Sequence, residues 1–195
     1  MGNIPRIRFY GWDSLLVEVD DPAGWFRALT AARSAGGFEC EEIVPAARTV
    51  LLRGVTSPPD FERLQPLPPS TSTKTVTIPV TWIGEDLDAV ASLWGEDPVA
   101  RMAATPFTVA FCGFAPGFAY LSGLPPHCRV SRLDTPRTSV PAGSVAVAGE
   151  YAGVYPRSSP GGWRLLGHTD VALFDLERDP PALLTPGTTV RFANA

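Results

Sequence analysis

Cysteine, histidine and long apolar runs are all scarce in this chain of 195 residues, and each scarcity closes off a class of function. The three cysteines, Cys40, Cys112 and Cys128, are odd in number and widely separated, so neither a disulfide framework nor a CxxC redox or metal centre is expected. They read as reduced thiols, with Cys112 in a strand core. Two histidines, His127 and His168, with scattered thiols lack the ligand spacing of a zinc site, so no metal is expected. No apolar run approaches the roughly 18 residues of a membrane span. The opening MGNIPRIRFYGWD has neither the basic start nor the apolar centre of a secretory leader, so a cytoplasmic protein is expected. A net charge of −4 without a basic cluster removes the electrostatic footprint of nucleic-acid binding. GxxxxGK[ST] is absent, which excludes ordinary phosphate-loop nucleotide binding, and so is the GxSxG elbow of a serine hydrolase.

What is present is an apolar content of 45%, enough for a real core, organised in two parts. Arg6–Tyr10 and Ser14–Val19 flank Gly11-Trp12-Asp13 as a hairpin. Asp20 or Asp21 caps a helix with Pro22 in its first turn and Trp25, Phe26, Leu29 and Ala32 on one face, ended by Gly36-Gly37. A second strand pair, Cys40–Val44 and Thr49–Val55, precedes a short helix opened by Ser57-Pro58 and carrying Phe61 and Leu64. The order β-β-α-β-β-α predicts a small α+β domain over residues 1–70. PLPPSTSTK, Pro66 to Lys74, has little to bury and reads as a linker. From residue 75 to 195 the pattern is one alternating strand, Val76 to Trp82, then two short helices after Asp86 and Asp97, then strands and turns at barrel spacing. FTVAFCG, GSVAVAG, WRLLG, VALFDL and TTVRFA are the predicted strands of that stretch.

The densest punctuation lies in three segments of this second half, in a chain with 21 prolines and 18 glycines. GFAPGFAYLSGLPP starts at Gly113, TPRTSVPAGSVAVAG at Thr135 and VYPRSSPGGWRLLGHTD at Val154. Glycine permits positive φ and close backbone approach while proline fixes φ, so these segments read as rigid irregular loops. Phe114, Phe118, Tyr120, Tyr155 and Trp163 stand among them beside Arg132, Arg137, Arg157 and His168. Such a mixture suits an aromatic-floored pocket with cationic donors, or else a barrel end filled by its own aromatics. Arg132 and Arg137 offer planar forks for a carboxylate or phosphate, or brace a loop. Ser158, Ser159, Gly161 and Gly162 form an anion-binding nest or an ordinary Pro-Gly turn. A Ser-His-Asp set built from Ser158 or Ser159 with His168 and Asp170 is discounted, because the serine shows no sign of activation.

The pattern GF-x-PGF-x-YL, TPR-x-x-VPAGSVA-x-AG and G-x-YP-x-x-SPGGW-x-L-x-G-x-T resembles the B subunit of bacterial ATP-dependent 5-oxoprolinase. That family is also called allophanate hydrolase subunit 1, or KipI-like, and carries carboxyltransferase subdomains C and D. The likeness runs from Phe107 to Thr169, with PALLTPGTTVRF similar as well. It implies a cyclophilin-like β-barrel for residues 75–195. It also implies a cytoplasmic, heteromeric hydrolase that opens 5-oxo-L-proline to L-glutamate with ATP as co-substrate. The implied partners are the C subunit, which is allophanate hydrolase subunit 2-like, and the A subunit of 5-oxoprolinase; the chain would be inactive alone. Mg2+ would then be held at least partly outside this chain, and no biotin is carried on it.

On the motif positions the resemblance implies Arg137 and His168 as catalytic residues. Gly113, Phe114, Pro116, Gly117, Phe118 and Tyr120 of the first motif would contact substrate or nucleotide. So would Arg132, Pro141, Gly143 and Ser144 around the second, and Tyr155, Ser159, Gly161, Gly162, Trp163 and Thr169 in the third. His168 stands where the family pattern has arginine, Met102 where a histidine is often seen, Ala119 in place of proline and Ala152 in place of threonine. Two other functions fit the same family: a KipI-like inhibitor docking on a histidine kinase through Phe114, Phe118 and Leu121, and allophanate or urea carboxyl transfer with a biotin protein supplied elsewhere.

Overall fold

The computed structural model describes residues 5–68 and 74–195. The chain divides into two compact units, Met1–Ser72 and Thr73–Ala195. Most of the linker predicted at Pro66 to Lys74 lies outside the described residues. Among the described residues no helix is long and apolar enough to cross a membrane.

In the first unit, β1 (Arg6–Tyr10), β2 (Ser14–Glu18), β3 (Glu42–Pro45) and β4 (Thr49–Arg53) form an antiparallel sheet in the order β1-β2-β4-β3. Helix α1 (Pro22–Ser34) packs on it. Asp21 caps the helix, its Oδ1 accepting from the Gly24 amide at 2.8 Å, and Pro22 occupies the first turn where no amide hydrogen is needed. Trp25 and Leu29 then face Val17, Val50 and Leu52, which closes the core of this unit. The helix predicted after Ser57 does not form. Pro59 pushes Pro58, the residue before it, out of helical backbone, and the segment is turn and extended chain, although Phe61 is buried as expected.

The second unit is built around one sheet. Its strands are β5 (Thr75–Val80), β6 (Phe107–Cys112), β7 (Ala119–Ser122), β9 (Ser144–Ala148), β10 (Tyr151–Val154), β12 (Arg164–His168) and β13 (Thr189–Asn194). They are ordered β12-β9-β10-β7-β6-β13-β5. The two ends meet where Thr81 and His168 exchange backbone hydrogen bonds of 2.8 and 2.9 Å, which nearly closes the sheet into a barrel. Helices α2 (Leu87–Trp94) and α3 (Pro98–Ala104) contribute Val90, Trp94 and Met102 to its interior beside Ile78, Phe107, Leu121 and Val190.

Strand β9 is buried along its whole length because each face meets a core. Val145 and Val147 point into the barrel interior, while Ala146 and Ala148 lie under a second cluster containing Phe118, Tyr155 and Trp163. The alternation of valine and alanine fits this: branched side chains fill the interior, and methyl groups leave room for aromatic rings outside.

Two expectations are corrected here. VALFDL is not a strand; Val171–Leu176 carries only an isolated bridge from Phe174 to Ala182. The punctuated motifs are also less irregular than predicted. Arg137–Val140 (β8) and Ser159–Gly161 (β11) pair as a two-stranded ladder, and the end of the first motif is strand β7.

The turn between α2 and α3 is pinned by Glu96. Its carboxylate takes a fork from Arg101 at 2.9 and 2.7 Å, and it meets His127 Nε2 at 3.0 Å and Cys128 Sγ at 3.3 Å. The hydrogen bonds from Arg101 and His127 hold the Glu96 carboxyl down at about 2. Burial, reinforced by Glu96, pushes the Cys128 thiol up to about 11.

Candidate functional site on the outer aromatic face

The first motif folds as the turn between β6 and β7. Gly113 and Phe118 close it through a backbone hydrogen bond of 3.2 Å, with a tighter one of 2.9 Å from the Phe118 amide to the Ala115 carbonyl. Inside the turn Phe114 adopts φ 68°, the one positive φ outside glycine among the described residues. A bulky side chain in the left-handed region costs free energy and persists only where its surroundings impose it. Its ring is 60% exposed, yet it packs edge-on against Phe118 at 5.3 Å and Tyr155 at 6.2 Å. Gly117 holds the base of the turn at φ 84°; a Cβ there would come within 2.7 Å of the Phe174 Cβ.

Below Phe114 the rings form a continuous layer. Phe118 touches Tyr120, Tyr155 and Trp163 at centroid distances of 5.1 to 5.5 Å, all near-perpendicular. Tyr120 stacks on Phe111 at 4.3 Å and meets Tyr151 edge-on at 5.7 Å. Edge-to-face geometry sets ring hydrogens against ring faces and locks the layer. Tyr155 is buried, and loss of solvent pushes its phenol up against a countering hydrogen bond from the Trp163 backbone and the charge of Arg132. Gly161 has to be glycine because a Cβ would overlap the Tyr155 hydroxyl.

Arg137 begins β8 and is not an open anion hook in this structure. It donates to Asp86 Oδ2 at 2.9 Å, to Glu85 Oε2 at 3.3 Å and to the Trp163 carbonyl at 3.3 Å. Asp86 also accepts from the Leu165 amide at 2.7 Å, so one buried carboxylate ties α2, β8 and β12 together. Arg132 is exposed on the loop leading into β8, within electrostatic reach of the Tyr155 hydroxyl.

The remaining motif residues fall in two further places. Ser144 is buried, its hydroxyl donating to the Pro141 carbonyl at 2.8 Å, and the Thr169 amide donates to the Gly143 carbonyl at 2.9 Å. Gly143, at φ 77°, lies where a Cβ would press on the His168 ring and the Thr169 carbonyl. His168 meets Asp170 at 3.1 Å, whereas Ser158 hydrogen-bonds Ser139 at 2.9 Å. Ser159 Oγ is buried without a hydrogen-bond partner. Gly162 donates no side chain but its carbonyl accepts from Leu133 at 2.8 Å, fixing the loop that carries Arg132. Exposed Pro116 completes the turn around Phe114. A separate cavity of about 760 Å³ lies in the first unit, lined by Arg6, Glu18, Trp25, Arg48 and Gln65; no residue of the three motifs lines it.

Phe118 and Tyr120 of the first motif and Tyr155 and Trp163 of the third thus converge on one aromatic layer roofed by the exposed, strained Phe114, while the Gly143, Ser144, His168 and Thr169 positions lie apart from it. Of the three anchors a docking inhibitor would need, Phe118 and Leu121 are 1% and 0% exposed, so Phe114 alone is available. Sequence reasoning missed Asp86, which it took only as a helix cap. Its side chain makes no capping bond and serves Arg137 and Leu165 instead. It also missed the rings of Phe111 and Tyr151, and the meeting of Glu96 with His127 and Cys128.

The barrel and the chain as a whole are similar to known proteins. The family model of the carboxyltransferase domain, subdomain C and D, matches residues 5–184, and the chain belongs to this family. It is 46% identical over 123 residues to the 5-oxoprolinase B subunit of Escherichia coli O157:H7, a match covering 60% of this chain and 56% of that protein. Against the 5-oxoprolinase B subunit of Haemophilus influenzae the identity is 47% over 123 residues, covering 60% and 58%. The chain thus spans about half the length of the curated relatives it matches. The crystal structure of TTHA0988 superposes with a TM-score of 0.77 at 33% identity, over 94% of this chain and 40% of that one.

Proposed function

We propose that this chain is the B-type subunit of a cytoplasmic ATP-dependent 5-oxoprolinase, its second unit a cyclophilin-like barrel, and that it opens 5-oxo-L-proline to L-glutamate together with C-type and A-type subunits. What carries the proposal is the 46–47% identity, over 123 residues, to proteins named as the B subunit of 5-oxoprolinase. The fold fills 40% of the TTHA0988 chain, which supports work beside further protein.

5-Oxoproline is a stable lactam. Its opening becomes favourable when the γ-phosphoryl group of ATP is transferred to the amide oxygen and water then attacks the activated carbon, releasing phosphate. Such chemistry asks for a shaped apolar floor for the ring and preorganised donors for developing negative charge. Phe114 and the layer beneath it supply the floor. Arg132 is the exposed guanidinium beside it suited to a carboxylate or phosphate, and Arg137 holds Trp163 and Asp86 in place. His168 offers a donor where the family pattern has arginine. ATP and Mg2+ would be shared with the partner subunits, since the motifs of this chain place no carboxylate pair on the aromatic face.

Two measurements on the reconstituted enzyme check the assignment. The chain is expected to co-elute with a C-type partner from its own source on a sizing column. Phe114→Gly is expected to lower kcat/KM for 5-oxoproline roughly tenfold, the equivalent of about 1.4 kcal/mol of ring contact. Its stability should hold or rise, because glycine relieves the left-handed backbone. Full activity of Phe114→Gly would remove this face from the site. Allophanate or urea carboxyl transfer, favoured by the description of the family model, is the second reading. It predicts turnover only with a carboxylated biotin protein.

A further inference from the structure

Away from the aromatic face, the second unit gathers a carboxylate, an imidazole and a thiol at one point. Glu96 lies in the turn between α2 and α3, while His127 and Cys128 are consecutive residues of the 3-10 turn Pro126–Cys128. Glu96 Oε1 is 3.0 Å from His127 Nε2 and 3.3 Å from Cys128 Sγ, and the three ligand atoms lie within 4.8 Å of one another. We propose that Glu96, His127 and Cys128 form a binding site for a zinc-class divalent cation, with a fourth position open to water.

The spacing fits such an ion. Zinc bonds of about 2.0 to 2.3 Å in a tetrahedron put neighbouring ligand atoms about 3.3 to 3.7 Å apart. Glu96 and Cys128 already meet that spacing, and the exposed His127 ring is free to adjust. The donor set selects the metal class as well. A thiolate with an imidazole and one carboxylate suits zinc or cobalt, whereas magnesium and calcium take oxygen ligands.

Proton balance is straightforward. Without metal, the His127 Nε2–H and the Cys128 S–H both point at Glu96 Oε1, an ionised acceptor. A cation among the three replaces these two hydrogen bonds. His127 keeps one proton, moved to Nδ1, and gives the Nε2 lone pair; Cys128 loses its proton to solvent, so one proton is released per ion bound. Arg101 stays on the far side of Glu96, donating to both carboxylate oxygens at 2.9 and 2.7 Å. Outer partners of this kind orient a ligating carboxylate and leave it one lone pair for the metal. Cys128 is fully buried and His127 is 57% exposed in its side chain, so the ion enters past the imidazole. Once bound, it cross-links the α2–α3 turn to a segment 31 residues further along the chain.

Cobalt(II) titration of the full chain is the test, with the thiolate-to-cobalt charge-transfer band as readout and zinc as competitor. One cobalt per chain, displaced by zinc, is expected. His127→Gln, an exposed substitution compatible with folding, should weaken binding at least about tenfold. Cys128→Ser should abolish the band, while Cys40→Ser and Cys112→Ser leave it intact. A band that fails to saturate at one equivalent, survives His127→Gln unchanged or disappears with Cys40→Ser would overturn the site. Because none of these readouts involves 5-oxoproline, the outcome is independent of the proposed enzyme activity.

Discussion

Truncating Phe118 to alanine is expected to lower the unfolding free energy by about 3–5 kcal/mol, the range for removing a buried aromatic ring. The site cannot collapse to fill the gap. Phe118 is 1% exposed and its ring is the hub of the outer layer, touching Phe114, Tyr120, Tyr155 and Trp163. Ala146 and Ala148 on the strand beneath are too short to move into the space, and Gly153 offers no side chain at all; a Cβ there would approach Phe118 Cζ to 3.0 Å. The lost free energy therefore includes both the burial of the ring and a persistent cavity. Urea unfolding of Phe118→Ala beside the parent chain measures it, and a loss below about 1 kcal/mol would mean the layer is loosely packed.

A loss of about 3 kcal/mol is expected for Asp86→Ala, the lower end for breaking a buried ion pair. Two groups are stranded at once. Arg137, with 21% of its side chain exposed, loses its close partner at 2.9 Å, and the buried Leu165 amide loses its acceptor at 2.7 Å. Glu85 remains near Arg137 at 3.3 Å but is itself largely exposed, so it offsets only part of the loss. The interaction is separable by a double-mutant cycle. Arg137→Met alone, Asp86→Ala alone and the pair together should be clearly non-additive, the double variant costing less than the sum. Additive losses would show that Asp86 and Arg137 act independently, and Arg137 would return to consideration as a direct anion contact.

How much of this was legible in the sequence depended on how local the physics is. The Asp21 cap, Pro22 and the Trp25–Leu29 stripe act within one helix, and the helix ran where they placed it. The Asp97-Pro98 start of α3 was equally local. Where distant pairing decided the outcome, local signals failed. Glycine and proline in TPRTSV and SSPGG read as loop, yet β8 and β11 pair across them, since an isolated pair of short edge strands tolerates both residues. VALFDL is a short apolar run that reads as a strand but has no full partner strand, and the chain turns there under Gly117 instead.

The site divides the same way. Aromatic and glycine motifs announced a crowded face, and Phe118, Tyr120, Tyr155 and Trp163 do meet there. No sequence pattern reports that Asp86 would reach Arg137, 51 residues away, or that Glu96 would meet His127 at a separation of 31. The left-handed backbone at Phe114 was also invisible, because a phenylalanine in a Gly/Pro turn carries no mark of its φ.

The most direct test of the central proposal is glutamate formation from 5-oxoproline and ATP by the purified A-type and C-type subunits, with and without this chain. Turnover that appears only when this chain is present, alongside no 5-oxoproline-dependent ATP hydrolysis by the chain alone, is the predicted result. Full turnover by the lone chain, or no glutamate from the complete set, would contradict it.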